Sequence, residues 1–536
     1  MRGDSPRFLL RTRSRAKAVC LFTGMWAIAI AWRCAGAAEP EGSYASPEEA
    51  ARILGAQLAA LREQGMRADA AEKELFELRH DLGMGQTEFW GHRVWRIEQQ
   101  LKRAQPEEAE KVALRERAPM PQSPFGFAAP APGEMEASKA AQLPSVAASL
   151  GLQTVRLVAP FFDPSDAASA PESWRRLDEE LGAWSAAGLE PMLVLDYGPK
   201  APASEAAWGA FRRWAGALAE RYDGDGQDDS PAGLRVKAFE IQRQVDSAVD
   251  LGAPFGDTPQ AYAAMARAAA ENIRHCSPQA KIVLGSMRSI GAALRSPWYF
   301  EQAVGHTFED GDKMAKYFDV LALDYRPSRA ACKALNLSVY SCLATQIARM
   351  RKALEAVGSS APIWLVIAAL PEPEEAAGIL SGPCDVASLT WAGLVSGSER
   401  ILFQALAPAA EGPSGPGAIE ALMDGDLRFT PAGWALKEVI ARVRPASEIR
   451  NVSLGAADQF LFEALIGPQD LYLGWSVGKE ANVTIAHRVH QPQVQGVALA
   501  DGPPGAAQPE ITMPSHGVKL GPRPFWLTAP GQTQRD

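Results

Sequence analysis

The sequence predicts a (β/α)8 barrel set between an N-terminal helical region and a C-terminal β-sandwich. Three observations carry that expectation. From Phe125 to about Arg444, short apolar runs alternate with amphipathic helical stretches, the pattern of parallel strands joined by crossover helices. Eight such runs over ~320 residues suit a closed barrel better than an open sheet. An open doubly wound sheet would offer a Gly-rich phosphate loop after its first strand, and none is found there.

Taken in order, residues 1–37 read as an export signal. Arg7, Arg11, Arg13, Arg15 and Lys17 form a basic n-region, Ala18 to Trp32 an apolar run, and Ala35-Gly36-Ala37 a small-residue cleavage site. The apolar run, ~15 residues, is short of the ~20 that span a bilayer, so cleavage is expected rather than anchoring. The expected location is periplasmic or extracellular, with no membrane span after cleavage. Residues 46–117 carry helical stripes: Leu54, Leu58 and Leu61; Leu75, Leu78 and Leu82; Trp90, Val94, Ile97 and Leu101. A helical hairpin and a coiled-coil assembly arm both fit this pattern. Pro119, Pro121 and Pro124 mark residues 118–124 as a linker.

The barrel, residues 125–444, should take its strands from Phe125–Ala128, Thr154–Val158, Glu190–Leu195, Val236–Ile241, Lys281–Leu284, Val320–Leu323, Ile363–Ala368 and Ile401–Ala405. Helices are expected over Trp174–Ala187, Glu205–Tyr222, Pro259–His275, Ser341–Val357 and Pro431–Arg442. Beyond residue 445, short strands such as Phe460-Leu461-Phe462, Leu471–Trp475 and Phe525-Trp526-Leu527 alternate with Gly, Pro and Asp turns, which predicts a small β-sandwich over 445–536.

Composition narrows the partners. The 536 residues are 47% hydrophobic and 22% charged, as in ordinary globular proteins. A net charge of −9 offers no basic footprint for nucleic acid. Loss of residues 1–37, with seven Lys/Arg and one Asp, would leave −15. Cys276, Cys332, Cys342 and Cys384 remain after cleavage and permit two disulfides in three connectivities, with Cys332–Cys342 the first pair to test. No Cys-x-x-Cys pair and no ligand-spaced histidines occur, so no metal or other cofactor is expected. Asn336, Asn451 and Asn482 begin Asn-x-Ser/Thr sequons at a number that chance supplies.

Phe125-Gly126-Phe127, Thr154-Val155-Arg156, Leu189–Leu195, Val236–Asp246, Phe318–Tyr325 and Pro362–Val366 resemble, in order and spacing, strands of the clan A glycoside hydrolases of the cellulase-like and xylosidase-like kind. The resemblance covers ~400 residues, and it implies a barrel with an accessory sandwich and a sugar as ligand. It also implies two catalytic glutamates, one closing the fourth strand and one the seventh. Aligned on Glu240, the acid/base position holds Gln244, and the asparagine usually before it is Arg243. Aligned on Pro362-Ile363-Trp364, the nucleophile position holds Ile367; Leu365, Val366, Ala368 and Ala369 beside it carry no carboxylate either. Gln404 occupies the eighth-strand place of a tryptophan platform.

A retaining glycosidase needs two carboxyls ~5–5.5 Å apart, one protonated and one ionised. An amide at Gln244 can hydrogen-bond a sugar but cannot exchange a proton near neutral pH. The polar equipment that remains is Asp163, Asp196 and Asp324 at strand ends, with Asp196-Tyr197 and Asp324-Tyr325 each joining a carboxylate to a ring suited to a sugar face. These acids could equally be ion-paired to Arg156, Arg243 or Arg326. Glu240 is expected to pair with Arg156, and strand alternation gives it the facing of Gln244. The reading is an exported, non-hydrolytic protein whose vestigial cleft binds a polysaccharide or oligosaccharide, or an envelope protein, through Arg156, Asp196, Tyr197, Gln244, Asp324 and Tyr325. The alternatives are a hydrolase that uses Asp196 and Asp324, and an assembly scaffold that uses the N-terminal helices.

Overall fold

The computed structural model describes residues 46–530 except 64–65, 68, 84–89, 102–104, 107–117, 131–134, 199, 246–257, 291–295, 327–337, 368–380, 405–421, 425, 452–458, 468, 477–480, 484–494, 499–509, 512–517 and 521–524. The expected export segment, the Cys332–Cys342 pairing and the Asn336 sequon fall outside the described residues. The chain divides into two compact units, Met1–Ala60 with Ala70–Arg103, and Leu61–Asp69 with Ala104–Asp536. Among the described residues no helix is long and apolar enough to cross a membrane.

The N-terminal unit contains three helices, α1 (Pro47–Glu63), α2 (Asp69–Gly83) and α3 (Trp90–Leu101). Ser46 opens the first by accepting a bond from the Glu49 N–H. Leu54, Leu58, Leu75, Leu78, Val94 and Ile97 are buried, so the helical stripes are its core.

The second unit is built on eight parallel strands: β1 (Phe125–Ala128), β2 (Thr154–Pro160), β3 (Glu190–Asp196), β4 (Ala238–Ile241), β5 (Lys281–Ile290), β6 (Val320–Arg326), β7 (Ile363–Ile367) and β8 (Ser398–Gln404). They close into a barrel in sequence order, β8 pairing with β1. All eight expected strands are present. The helices between them include α4 (Ala137–Ala140), α5 (Leu143–Ser149), α6 (Ala170–Ala186), α7 (Glu205–Arg221), α8 (Pro259–Cys276), α9 (Ser296–Val304), α10 (Val339–Ala356), α11 (Ser381–Val395) and α12 (Pro431–Val443). Four begin alike because each start is capped. Ser204, Thr258, Ser338 and Thr430 accept bonds from the N–H three residues on, which satisfies a donor the helix cannot.

Period-two alternation sorts the strands into two cores. Leu193, Leu195, Phe239, Ile241, Leu321, Leu323, Leu365 and Ile367 face the helices, while Met192, Ala238, Val320, Ala322, Trp364, Val366 and Leu402 fill the lumen. Trp364 is the large plug of that lumen. Its indole N–H donates to Glu399 at 3.1 Å, and the Arg400 guanidinium lies 4.3 Å from its ring.

After α12 come β9 (Glu448–Asn451), β10 (Gln459–Ile466), β11 (Gln469–Ser476), β12 (Ala481–Val483), β13 (Gln495–Ala498), β14 (Glu510–Ile511), β15 (Val518–Leu520) and β16 (Phe525–Pro530). A seven-stranded antiparallel sheet runs β14-β13-β16-β11-β10-β9 and ends on the short strand Ala118–Pro119, and β12 pairs with β15 apart from it. This is the small β-sandwich-like domain that the sequence predicts. The stretch 118–124 thus supplies an edge strand to that sheet.

Aromatic rings join the sheet to α10 and α11. Trp391 stacks on Phe462 with planes 5° apart and leans on Trp526 at 6.1 Å, while Tyr340 meets Phe460 and Trp475 edge-on. Tyr340 also donates to Asp385 at 2.6 Å. Trp391→Ala should therefore lower stability by about 3–5 kcal/mol, as truncation of a fully buried aromatic does. Urea unfolding followed by fluorescence of the remaining tryptophans measures this, and a loss under ~1 kcal/mol would mean the seam contributes little.

Candidate functional site at the barrel mouth

Arg156 and Glu240 face each other across the lumen from β2 and β4. Nε of Arg156 donates to Oε2 of Glu240 at 2.6 Å and Nη2 to Oε1 at 2.7 Å, with Glu240 fully buried. Burial works against the Arg156 charge. The Glu240 carboxylate, with Asp324 and Asp196 behind it, more than offsets that and raises the guanidinium above its ordinary range. The expected Arg156–Glu240 pair is thus present, and it is a two-bond fork.

A bulge in β5 supplies the next contacts. The register with β6 shifts between Leu284 and Met287, so Ser286 turns its N–H to Glu240 Oε1 at 3.0 Å. Its hydroxyl accepts from the Gln244 N–H at 3.1 Å, and its carbonyl accepts from the Val245 N–H. Gly285 makes this approach possible. A Cβ there would come 2.2 Å from the Gln242 carbonyl oxygen and 2.3 Å from that of Ile241. Tyr262 fastens the same turn, donating to the Ile241 carbonyl at 3.0 Å and accepting from the Gly285 N–H at 2.6 Å. Burial pushes the Tyr262 hydroxyl well above its usual pKa.

Beyond Ile241 the chain leaves the strand. Gln242 and Gln244 take φ of 64° and 52°, the left-handed region that non-glycine residues rarely adopt. The shared facing of Glu240 and Gln244 therefore does not come from strand alternation, as expected from sequence, because β4 ends before it can. The curled turn brings Gln244 back over the lumen, where its Nε2 donates to Asp324 Oδ2 at 2.7 Å. Gln242, fully buried, accepts from the Tyr197 N–H and donates to Asp196 Oδ1 at 3.2 Å and the Gly198 carbonyl at 3.0 Å. Arg243 Nε donates to Asp196 Oδ2 at 3.1 Å.

The structure thus brings together Arg156, Asp196, Gln244 and Asp324, while Tyr197, one residue past the lumen-facing Asp196, packs its partly buried ring on Phe161 and Phe211 in the helix layer rather than showing it at the mouth. Burial raises the Tyr197 hydroxyl pKa. Two further expectations need correction. Tyr325 does not display its ring at the mouth: it is one residue past the lumen-facing Asp324, so alternation turns it outward, buried, with its hydroxyl on the Val339 carbonyl. Ile367 likewise packs on the helix side, and the last described lumen position of β7 is Val366. Asp163 stays at the surface with Ser165 and Arg213. Sequence reasoning missed Gln242, Tyr262, Gly285 and Ser286. The lone glycine inside the apolar run Ile282–Met287 was the available signal of a bulge.

Among the described residues, Asp223, Asp225 and Asp229 gather carboxylate oxygens within 4.8 Å of one another in the turn between α7 and β4, on the face opposite the mouth. Their oxygens cap the turn, Asp229 accepting from the Gly224 and Gly226 N–H groups.

No protein-family model matches the chain, and no curated protein matches it by sequence. Solved structures do match it in shape. A family 39 glycoside hydrolase from Bacteroides cellulosilyticus WH2 has TM-score 0.53 at 11% identity, over 76% of this chain and 81% of that one. A GH39 beta-xylosidase from Caulobacter crescentus has TM-score 0.50 at 13% identity, over 78% and 98%. A GH30 endoxylanase from Clostridium papyrosolvens C71 has TM-score 0.50 at 12% identity, over 77% and 98%. The chain shares the (β/α)8-barrel fold of these glycoside hydrolases. At such identities the likeness is one of fold and brings no activity with it.

The geometry makes the Arg156–Glu240 pair the support of this site. Arg156→Met should cost about 3–5 kcal/mol, because it strands a buried carboxylate. Arg156→Met combined with Glu240→Leu should recover most of that loss in the same urea titration; equal losses for the single and double variants would show that the charge pair is not the cause. Gly285→Ala should cost about 1–3 kcal/mol by forcing the 241–245 turn outward.

Proposed function

We propose that the protein is a non-hydrolytic glycan-binding member of this fold, exported by residues 1–37 and holding a polysaccharide or oligosaccharide at the C-terminal mouth of its barrel. The observation that carries this reading is Gln244. At the position the resemblance gives to the acid/base glutamate stands an amide hydrogen-bonded to Asp324. It can grip a hydroxyl but cannot deliver a proton to a leaving group. The last described lumen position of β7 adds only Val366 where a nucleophile would be needed. The neighbours named as a xylosidase and an endoxylanase support a saccharide as the ligand class. The mouth of such a barrel is also where ligands gather. An envelope protein is the second partner class consistent with export.

One observation favours a second reading. Asp196 and Asp324 both stand on lumen-facing strand positions close enough to Arg156 to act on its charge, so a hydrolase working through these two acids is the competing proposal. A glycan-array binding screen of the full chain, run beside a reducing-end assay, separates the two. Binding without release of reducing ends is expected. Turnover abolished by Asp196→Asn or Asp324→Asn would establish the relocated hydrolase, and turnover that neither substitution changes would sink both readings.

Gln244→Glu tests the mouth directly. It sets two carboxyls at hydrogen-bonding distance, which cannot both ionise, so one pKa rises on folding. A raised folded pKa contributes stability at low pH that is lost as pH rises through it. The variant should therefore match the wild type at about pH 4 and melt several degrees lower at about pH 8. Equal melting differences at both pH values would show that the 244 side chain is not held against Asp324.

A further inference from the structure

We infer that the mouth selects a glycan bearing a carboxylate, a uronate, and that Arg243 is the residue that reads it. This rests on the binding function proposed above and names the ligand class of that site.

The two guanidinium groups of the site differ in what they have left to give. Arg156 is buried, holds Glu240 with two bonds and reaches Ser286 with a third, longer one at 3.4 Å. Arg243 has a side chain 26% exposed and makes one side-chain bond, from Nε to Asp196. Neither of its Nη atoms is bonded to a described residue. A planar guanidinium edge with free N–H donors fits a carboxylate by geometry as well as charge. The resemblance puts an asparagine at this position, and an amide there would offer no charge.

The fork is fixed before any ligand arrives. Gln242 is wholly buried at φ 64°, and its amide ties together the Tyr197 N–H, Asp196 and Gly198. Asp196 in turn holds the Arg243 Nε. Tyr197, next along the chain, is braced edge-on by Phe161 at 4.6 Å and Phe211 at 5.4 Å. One buried amide therefore positions, through Asp196, the cation that a uronate's carboxylate requires.

The departures from the resemblance point the same way. An ionised glutamate beside the sugar would repel a sugar carboxylate. Gln244 and Val366 carry no charge, and the Asp196 carboxylate is paired with Arg243.

Calorimetric titration of the full chain with tetragalacturonate, glucuronate-substituted xylotetraose and tetramannuronate, each against its methyl ester and against plain xylotetraose, tests this. At least one acid should bind about tenfold or more tightly than its ester, one step of charge-assisted contact. Added salt should weaken the acid and leave the ester little changed. Arg243→Gln should bring the acid-to-ester ratio to about one, with Arg243→Lys keeping part of it. The salt dependence of the wild type keeps the test open if a variant misfolds. Ratios of one for all three sugars overturn the uronate inference and leave the cleft reading standing. Binding of none of the saccharides, neutral or acidic, overturns both.

Discussion

The buried fork between Arg156 and Glu240 is the constraint on which the rest of the mouth depends. Removing two charges from water costs several kcal/mol per ion, and only close geometry with every remaining polar atom satisfied offsets it. Two bonds at 2.6 and 2.7 Å supply the geometry, and the Ser286 N–H supplies a further donor to the carboxylate. Ser286 can do so only because β5 bulges there. The bulge can sit against β4 only because residue 285 has no side chain. From that contact the turn 241–245 takes its course, with Tyr262 clamping it from α8. A charge pair deep in the lumen thus decides where Gln242, Arg243 and Gln244 stand at the mouth.

Much of the scaffold was legible because its physics is local and periodic. The eight strands announce themselves as β-branched and apolar runs, and helices such as α7 and α8 show a stripe plus a Ser or Thr cap. The helix α11, Ser381–Val395, was not found in the sequence. It is apolar nearly all round, since the barrel covers one side and the sheet, through Phe462 and Trp526, covers another. A helix buried on both sides has no amphipathic signature to read.

The site was legible in its composition and less so in its geometry. Arg156 with Glu240, and Asp196 with Arg243, were pairs that charge alone suggested. Tyr325 and Ile367 were misplaced for a single reason. A strand's last residue alternates between lumen and helix layer, and a shift of one reverses its role. Gln242 could not be recognised because its importance lies in a left-handed backbone and three non-local bonds, none of which a residue type reveals.

The identities at positions 244 and 324 are coupled. Asp324 lies buried on β6, and the Gln244 amide donates to it at 2.7 Å. A carboxylate at 244 would have to be protonated to make that contact, or else move away from it. An amide makes it at every pH, with nearly the same shape. A buried acid at 324 is compatible with a neutral donor opposite and works against the ionisable group that cleavage requires. Under the proposed reading, the pair replaces a proton-transfer step by a fixed hydrogen bond. The amide also leaves its carbonyl oxygen as an acceptor for a ligand hydroxyl, the complement to a guanidinium one residue earlier that offers donors only.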